Sequence, residues 1–166
     1  MNKVDTPLSI SNAAHQKPLE SFKVFPRCVG VWEGYWIRTD ADAKEVERFT
    51  AVLTQKILEN QWVQTNENKF ADGRTETLNF FGRVVSDYTV LLESPERPYC
   101  NFKMFAEEHG DDLIIIRVWD KATGTPLATE TINLMSENQR IRTIQQFLPS
   151  DGKLKGFMII VERKVG

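Results

Sequence analysis

The chain has 166 residues, of which 41% are hydrophobic and 27% are charged, and its net charge is -2. This composition and length are typical of one globular domain. The absence of a basic excess argues against a nucleic-acid partner, and no stretch approaches the ~18 apolar residues of a membrane helix. We therefore expect no nucleic-acid partner and no membrane insertion. Because residues 1–16 lack the apolar core of a secretory signal, we expect a cytoplasmic location.

Residues 1–23 are predicted to form a lead-in, with at most a short helix over residues 11–16, that closes one end of the fold. Pro7 and Pro18 interrupt this segment, and the stretch LESFKVFP, residues 19–26, which runs from its end into the domain, is more apolar. We assign residues 24–166 to a single folded domain. Its two cysteines, Cys28 and Cys100, are too few for a disulfide framework, and we favour two free thiols over one bridge.

From residue 29 onward the pattern has a period of two, which is typical of β-strands. In VWEGYWIRTD, one face carries Trp32, Gly34, Trp36 and Arg38. The next segment, residues 45–57, reads as a strand, although it can also be written as a helix. Eight more segments rich in apolar and β-branched residues follow: QWVQT, TETLNFFG, YTVLLES, YCNFKMFAE, DLIIIRVWD, LATETINLM, RIRTIQQFL and GFMIIVERKV.

The separators between these segments are short and contain Asp-Gly or Gly-Asp pairs or proline, as tight hairpins require. Successive short connections predict an antiparallel all-β meander. A meander of this length must protect its edge strands, and closure does so. We predict an up-and-down β-barrel of about 8–10 strands. A β-sandwich is the competing fold, but it usually needs a long crossover connection.

The residues GVWEG at positions 30–34 resemble the Gly-x-Trp motif of lipocalins and other calycins. This resemblance implies that Gly30 starts the first strand, that Trp32 plugs the closed end of the barrel, and that a basic residue near the chain end packs over the indole. Arg163 in VERKV is the expected cap. The segments GVWEGYW, RIRTIQQF with DGKL, and VERK resemble a lipocalin-like family of photosynthetic bacteria that has no assigned function.

Two related groups of barrels fit the sequence less well. Phycobilin lyases use similar barrels, but their characteristic early motifs are not obvious here. Haem-binding barrels of the nitrobindin type require an axial histidine. This chain offers only His15 in the tail and His109 in a predicted turn, which are poor positions for a ligand inside a barrel. We expect no cofactor and no metal site.

Candidate ligand contacts are aromatic and arginine residues on strand faces that could point into the barrel. An arginine suits the head of an anionic amphiphile because its planar fork pairs a carboxylate and stays charged. We predict that the barrel binds a small hydrophobic or amphipathic anionic molecule, such as a fatty acid, a carotenoid or a tetrapyrrole. The predicted contacts are Trp36, Arg38, Trp62, Phe102, Arg117 and Arg142.

We favour a binding protein over an enzyme and predict no catalytic residue, because no serine lies in a Gly-x-Ser-x-Gly setting and no histidine suits a triad. An enzyme of the same fold, such as a bilin lyase, an isomerase or a cyclase, would need a buried acid or base, for example Glu76 or Asp87 near Arg83. A non-catalytic interaction module with a filled barrel is the third alternative, and a homodimer is left open.

Overall fold

The computed structural model of the protein describes residues 16–166. The helix expected over residues 11–16 lies outside this range except for Gln16, which is not helical, and His15 lies outside it as well.

The described chain folds into ten β-strands with three very short helical segments. A 3-10 helix spans Leu19–Ser21, helix α1 spans Phe25–Cys28, and a second 3-10 helix spans Tyr99–Asn101. None of the helices within residues 16–166 is long and apolar enough to span a membrane. The strands are β1 Gly30–Asp40, β2 Glu45–Leu58, β3 Gln61–Phe70, β4 Thr75–Ser86, β5 Thr89–Glu93, β6 Phe102–His109, β7 Leu113–Asp120, β8 Pro126–Ser136, β9 Gln139–Phe147 and β10 Leu154–Lys164.

Each strand pairs antiparallel with the next in sequence, and β10 pairs with β1, so that the sheet closes completely. This confirms the predicted all-β up-and-down barrel. The helical alternative for residues 45–57 is wrong, because β2 runs through this segment. Its apolar residues alternate: Phe49, Ala51 and Leu53 are buried in the interior. Period-two burial of this kind is what one face of a strand produces.

The segment before β1 closes one end of the barrel. Leu19, Phe22 and Phe25 are buried beneath this end, as expected for the apolar LESFKVFP segment. Glu108 on β6 anchors the segment, since its carboxylate accepts hydrogen bonds from the backbone N–H groups of residues 23, 24 and 25 at 2.8, 2.5 and 2.7 Å. We call this the closed end. The opposite end, where β3 meets β4 and β9 meets β10, is the open end.

Two glycines in the Gly-x-Trp-x-Gly stretch are required by close approaches of the backbone. Gly30 starts β1 with a φ of 137°, a conformation that residues with a side chain rarely adopt. Gly34 lies directly against β10. A Cβ atom at this position would collide with the backbone carbonyl oxygen of Val161 and would lie 2.9 Å from the Cα of Glu162.

We expect Gly34→Ala to destabilise the barrel by about 1–3 kcal/mol, because the new methyl group meets backbone that cannot move aside. Gly73→Ala is the control. Nothing lies within 4 Å of its added Cβ, but its φ is 89°, so we expect a loss of about 1 kcal/mol from backbone strain. Urea denaturation of both variants measures the difference. Equal losses would contradict a steric role for Gly34.

Candidate ligand-binding site

The barrel interior contains a cavity of about 360 Å³ that faces the open end. This volume lies near the lower limit of sites for small organic ligands, about 300–1,000 Å³. Most of the lining is aromatic or aliphatic. The aromatic residues of the wall are Trp36, Phe49, Phe70, Phe80, Tyr99, Phe102 and Phe147.

A buried arginine forms the floor of the cavity. Arg142 on β9 is 5% exposed, and its guanidinium lies 4.9 Å from the centre of the Trp36 ring. All three of its nitrogens bond to carboxylates. Nε and Nη2 contact Glu130 at 2.6 and 2.5 Å, and Nη1 contacts Glu162 at 3.4 Å. Burial acts to lower the pKa of Arg142, but the two carboxylates outweigh it and the pKa is raised.

A second buried arginine lies toward the closed end. The guanidinium of Arg140 lies 4.1 Å from the centre of the Trp32 ring. Its Nε donates to Glu162 at 2.5 Å and its Nη1 donates to Gln55 at 2.7 Å. Arg140, Glu162 and Trp32 are fully buried. We call the group formed by Arg140, Arg142, Glu130, Glu162 and Gln55 the buried ion network.

Arg163, the predicted cap of Trp32, does not pack over the indole ring; its neighbour Lys164 does. Arg163 is exposed, because Glu162 and Lys164 point inward and side chains alternate along a strand. The cations over the indole belong to Arg140 and to Lys164, whose Nζ lies 5.0 Å from the ring centre and donates to the backbone carbonyl of Arg27. The resemblance therefore predicts the right interaction but assigns it to the wrong residue.

Four of the six predicted ligand contacts line the cavity: Trp36, Arg38, Phe102 and Arg142. The other two, Arg117 and Trp62, lie outside the cavity. Arg117 is exposed on the outer surface and pairs with Glu107 at 2.6 Å, since its neighbours Ile116 and Val118 take the inner face.

Trp62 points inward but lies below the cavity, in the core of the closed end. Its ring packs edge-on against Phe25 at 5.2 Å between centres, and its Nε1 donates to Gln64 at 3.1 Å. It stabilises the plug that closes the barrel.

Three polar atoms at the cavity wall are buried and have no hydrogen-bond partner within residues 16–166. They are the Nε1 donor of Trp36, the Nε donor of Arg38 and the Oδ1 acceptor of Asn68. Trp36 is 7% exposed and Asn68 is 5% exposed. These atoms have less than 1 Å² of accessible surface, so they lie within the barrel wall and are not presented to the cavity.

The open end is covered in part by the loop between β5 and β6. Glu96 holds this loop, because its carboxylate accepts hydrogen bonds from the backbone and side-chain N–H groups of Asn79 and from Ser94. The loop places Tyr99 in the cavity wall, edge-on to Phe80 and Phe102. Burial raises the pKa of the Tyr99 phenol, and the nearby carboxylate of Glu76 adds to the effect.

The three residues named for a possible enzyme, Glu76, Arg83 and Asp87, lie in different parts of the barrel. Glu76 lines the open end, where it accepts a hydrogen bond from Asn68 at 3.0 Å. Arg83 is exposed on the outer surface, and Asp87 lies in the turn between β4 and β5 at the closed end. Of these three residues only Glu76 lines the cavity, so neither Arg83 nor Asp87 lies beside a ligand bound there.

Both cysteines are free thiols. Cys28 is buried beside the buried ion network, and desolvation raises the pKa of its thiol even though the charge of Arg140 opposes this. Raised thiol pKa values are typical of structural cysteines. Within residues 16–166, no cluster of three or more His, Cys, Asp or Glu side chains is arranged to hold a metal ion.

Several polar residues of the site were not predicted from the sequence: Gln64, Asn66, Asn68, Tyr99 and Glu130. The first three share the inner face of β3. Their segment, QWVQTNENKF, has polar residues on both faces, so alternation cannot identify the inner one. For Glu130 a signal was available, because it shares the face of Ile132 and Leu134 in an apolar strand.

Comparisons with known proteins support the fold. No protein-family model and no curated protein matches the sequence. The structure is similar to a DUF3598-family protein of unknown function from Nostoc punctiforme, with a TM-score of 0.63 and 15% identity over 85% of this chain. The chain spans about half, 49%, of that protein.

Two further solved structures resemble it over most of their length. The S-type phycobiliprotein lyase CPES from Guillardia theta has a TM-score of 0.62 and 12% identity, over 86% of this chain and 90% of the lyase. Rv2717c from M. tuberculosis has a TM-score of 0.59 and 11% identity, over 84% of this chain and 94% of its own. These likenesses show the fold alone, a closed antiparallel β-barrel.

We expect Arg140→Met to destabilise the protein by about 3–5 kcal/mol, because it leaves the buried Glu162 with only its 3.4 Å contact to Arg142. Arg163→Met, on the exposed face of the neighbouring strand β10, should change the stability by less than about 0.5 kcal/mol. Urea denaturation followed by tryptophan fluorescence measures both. If Arg163→Met proves as damaging as Arg140→Met, the assignment of the cap to Arg140 is incorrect.

Proposed function

We propose that the protein binds a small amphipathic molecule inside its barrel. The observation that carries this proposal is the cavity itself, whose largely aromatic and aliphatic lining includes a few polar side chains such as Gln64, Glu76 and Arg142. Apolar walls with a few oriented polar groups are the usual composition of small-molecule sites. The resemblance to the lipocalin-like family of photosynthetic bacteria remains a prediction that is compatible with this function.

The size of the cavity favours a compact ligand. On β3 its wall runs from Gln64 to Phe70, a span of six residue-to-residue steps. At about 3.3 Å per residue and a strand tilt of about 40°, the cavity is on the order of 15 Å deep. A fatty acid or a ring system of two to three rings fits this depth, whereas an extended carotenoid or a linear tetrapyrrole would leave part of its length outside the open end.

Binding is favoured over catalysis because Arg142 and Glu130, two charged groups of the lining, neutralise each other, and the carboxylate of Glu76 at the open end accepts a hydrogen bond from Asn68. The structure resembles a phycobiliprotein lyase in its fold. A chromophore-related activity of this chain would therefore rest on analogy of fold alone. Transfer of a bilin to an acceptor protein in a reconstituted assay would favour the lyase alternative.

We expect Ala128→Trp to weaken the binding of Nile Red, a neutral apolar dye, at least tenfold, because Ala128 lines the cavity and an indole there would fill it. The dye's fluorescence, titrated with protein, gives the dissociation constant. Native mass spectrometry of the protein purified from its own host should show a retained molecule in the parent chain and none in Ala128→Trp.

The matched control is Thr129→Trp, the neighbouring residue on the outer face of β8, which should bind the dye like the parent protein. Circular dichroism and urea denaturation establish that both variants are folded. If Ala128→Trp is folded and still binds with unchanged affinity, the cavity is not the binding site.

A further inference from the structure

We infer that the ligand carries a hydrogen-bond-accepting oxygen, in a carbonyl or a carboxylate group, and that Asn66 on β3 binds this oxygen through its amide N–H. A chain of three amide side chains, Gln55, Gln64 and Asn66, fixes the direction in which that N–H group points. This inference rests on the proposed function and concerns the chemical class of the ligand.

The chain of amides begins at the buried ion network. Nη1 of Arg140 donates to Oε1 of Gln55 at 2.7 Å, and Nε2 of Gln55 donates to Oε1 of Gln64 at 2.7 Å. Nε2 of Gln64 then donates to Oδ1 of Asn66 at 2.8 Å. Gln55 is 2% exposed and Asn66 is 4% exposed, so these amides bond to one another inside the barrel and not to bulk water.

Two groups that can only donate hydrogen bonds settle the orientation of the amides. A guanidinium and an indole N–H have no acceptor atom. Arg140 therefore requires the oxygen of Gln55, and Trp62, whose Nε1 donates at 3.1 Å, requires the oxygen of Gln64. The nitrogen of Gln64 then faces Asn66, which must present its own oxygen to that nitrogen. Each amide thus points its nitrogen away from Arg140, and the nitrogen of Asn66 is the last of the chain.

The amide nitrogen of Asn66 is presented to the cavity. Within residues 16–166, Nδ2 has no hydrogen-bond partner, and it is not one of the unpartnered atoms with less than 1 Å² of accessible surface. It therefore retains accessible surface, and Asn66 lines the cavity. Its neighbours on β2 and β4 are Leu53 and Leu78, which are buried and offer no acceptor side chain. An acceptor on a bound molecule can pair with this donor.

The donor lies in the deeper half of the cavity wall. From the closed end toward the open end, the β3 residues of this wall are Gln64, Asn66, Asn68 and Phe70. Asn68 donates its nitrogen to the carboxylate of Glu76 at 3.0 Å, whereas the nitrogen of Asn66 has no such partner. A ligand that enters with its oxygen first pairs with Asn66. A hydrocarbon in the same place leaves the N–H group unpaired, which weakens its binding.

Three compounds with the same ring system test the inference by displacement of Nile Red. 2-Acetylnaphthalene has a carbonyl oxygen, 2-naphthoate has a carboxylate, and 2-ethylnaphthalene has neither. We expect at least one of the two oxygen compounds to bind the parent protein about tenfold more tightly than 2-ethylnaphthalene, which is the effect of one buried hydrogen bond. The tighter of the two identifies the oxygen-bearing group.

Asn66→Leu should reduce this tenfold preference to about one, because leucine has nearly the same size and no donor. Asn133→Leu is the matched control. Asn133 is exposed on the outer face of β8, so the same substitution there should leave the preference unchanged. Urea denaturation establishes that both variants are folded.

Gln64→Glu tests the positioning role of the chain while Asn66 stays in place. At pH 8 a carboxylate at this position accepts from Gln55 and Trp62 as before, but it cannot donate to Asn66. The Asn66 amide then turns its nitrogen to the carboxylate and its oxygen to the cavity, and we expect the preference for the oxygen compounds to disappear. A merely structural role of Gln64 would weaken all three compounds equally and leave their ratio at about ten.

The outcomes separate this inference from the proposed function. Equal affinity of the three compounds for the parent protein overturns the oxygen-bearing ligand, and so does a preference that survives in Asn66→Leu. A preference that survives in Gln64→Glu overturns the orientation of Asn66 by the chain. In each of these cases, displacement of Nile Red still shows a binding cavity. Failure of Nile Red itself to bind the folded parent protein overturns both the inference and the proposed function.

Discussion

The architecture of the barrel depends on the neutralisation of four charged side chains in its interior. Arg140 and Arg142 on β9 contact Glu162 on β10 and Glu130 on β8, and Gln55 reaches Arg140 from β2. Transfer of one such charge from water to a protein interior without a partner is strongly unfavourable. Removal of any one of the four charged members is therefore strongly destabilising, and the network connects β8, β9, β10 and β2.

The same network divides the interior into two parts. On one side lies an apolar plug, in which residues of the lead-in such as Phe22 and Phe25 pack beneath Trp32 and Trp62. On the other side lies the cavity, with Arg142 as its floor. Stacking of the two guanidiniums on Trp32 and Trp36 adds an attraction of about 0.5–2 kcal/mol each. A ten-stranded barrel is wide enough that its own side chains need not fill it, and this division determines which end stays open.

The fold was predictable because it rests on local signals, namely period-two alternation and short turns, which each strand repeats. The inward face of β1 was predictable for the same reason. The errors arose where a face had to be chosen without a clear pattern. For Arg117 and Arg163 a shift of one position reverses the direction of the side chain. For Asn68 both faces of the strand are polar, so only the closed sheet reveals which residues meet inside.

The ion pairs between residues on different strands could not be predicted from the sequence, for a different physical reason. The ionic partners of Arg142 lie 12 and 20 residues away, and nothing in the local pattern links a glutamate in one strand to an arginine in another. An arginine that looked free to hold an anionic headgroup is therefore already neutralised. The sequence indicates a buried charge, but its electrostatic role depends on long-range neighbours that only the closed barrel brings together.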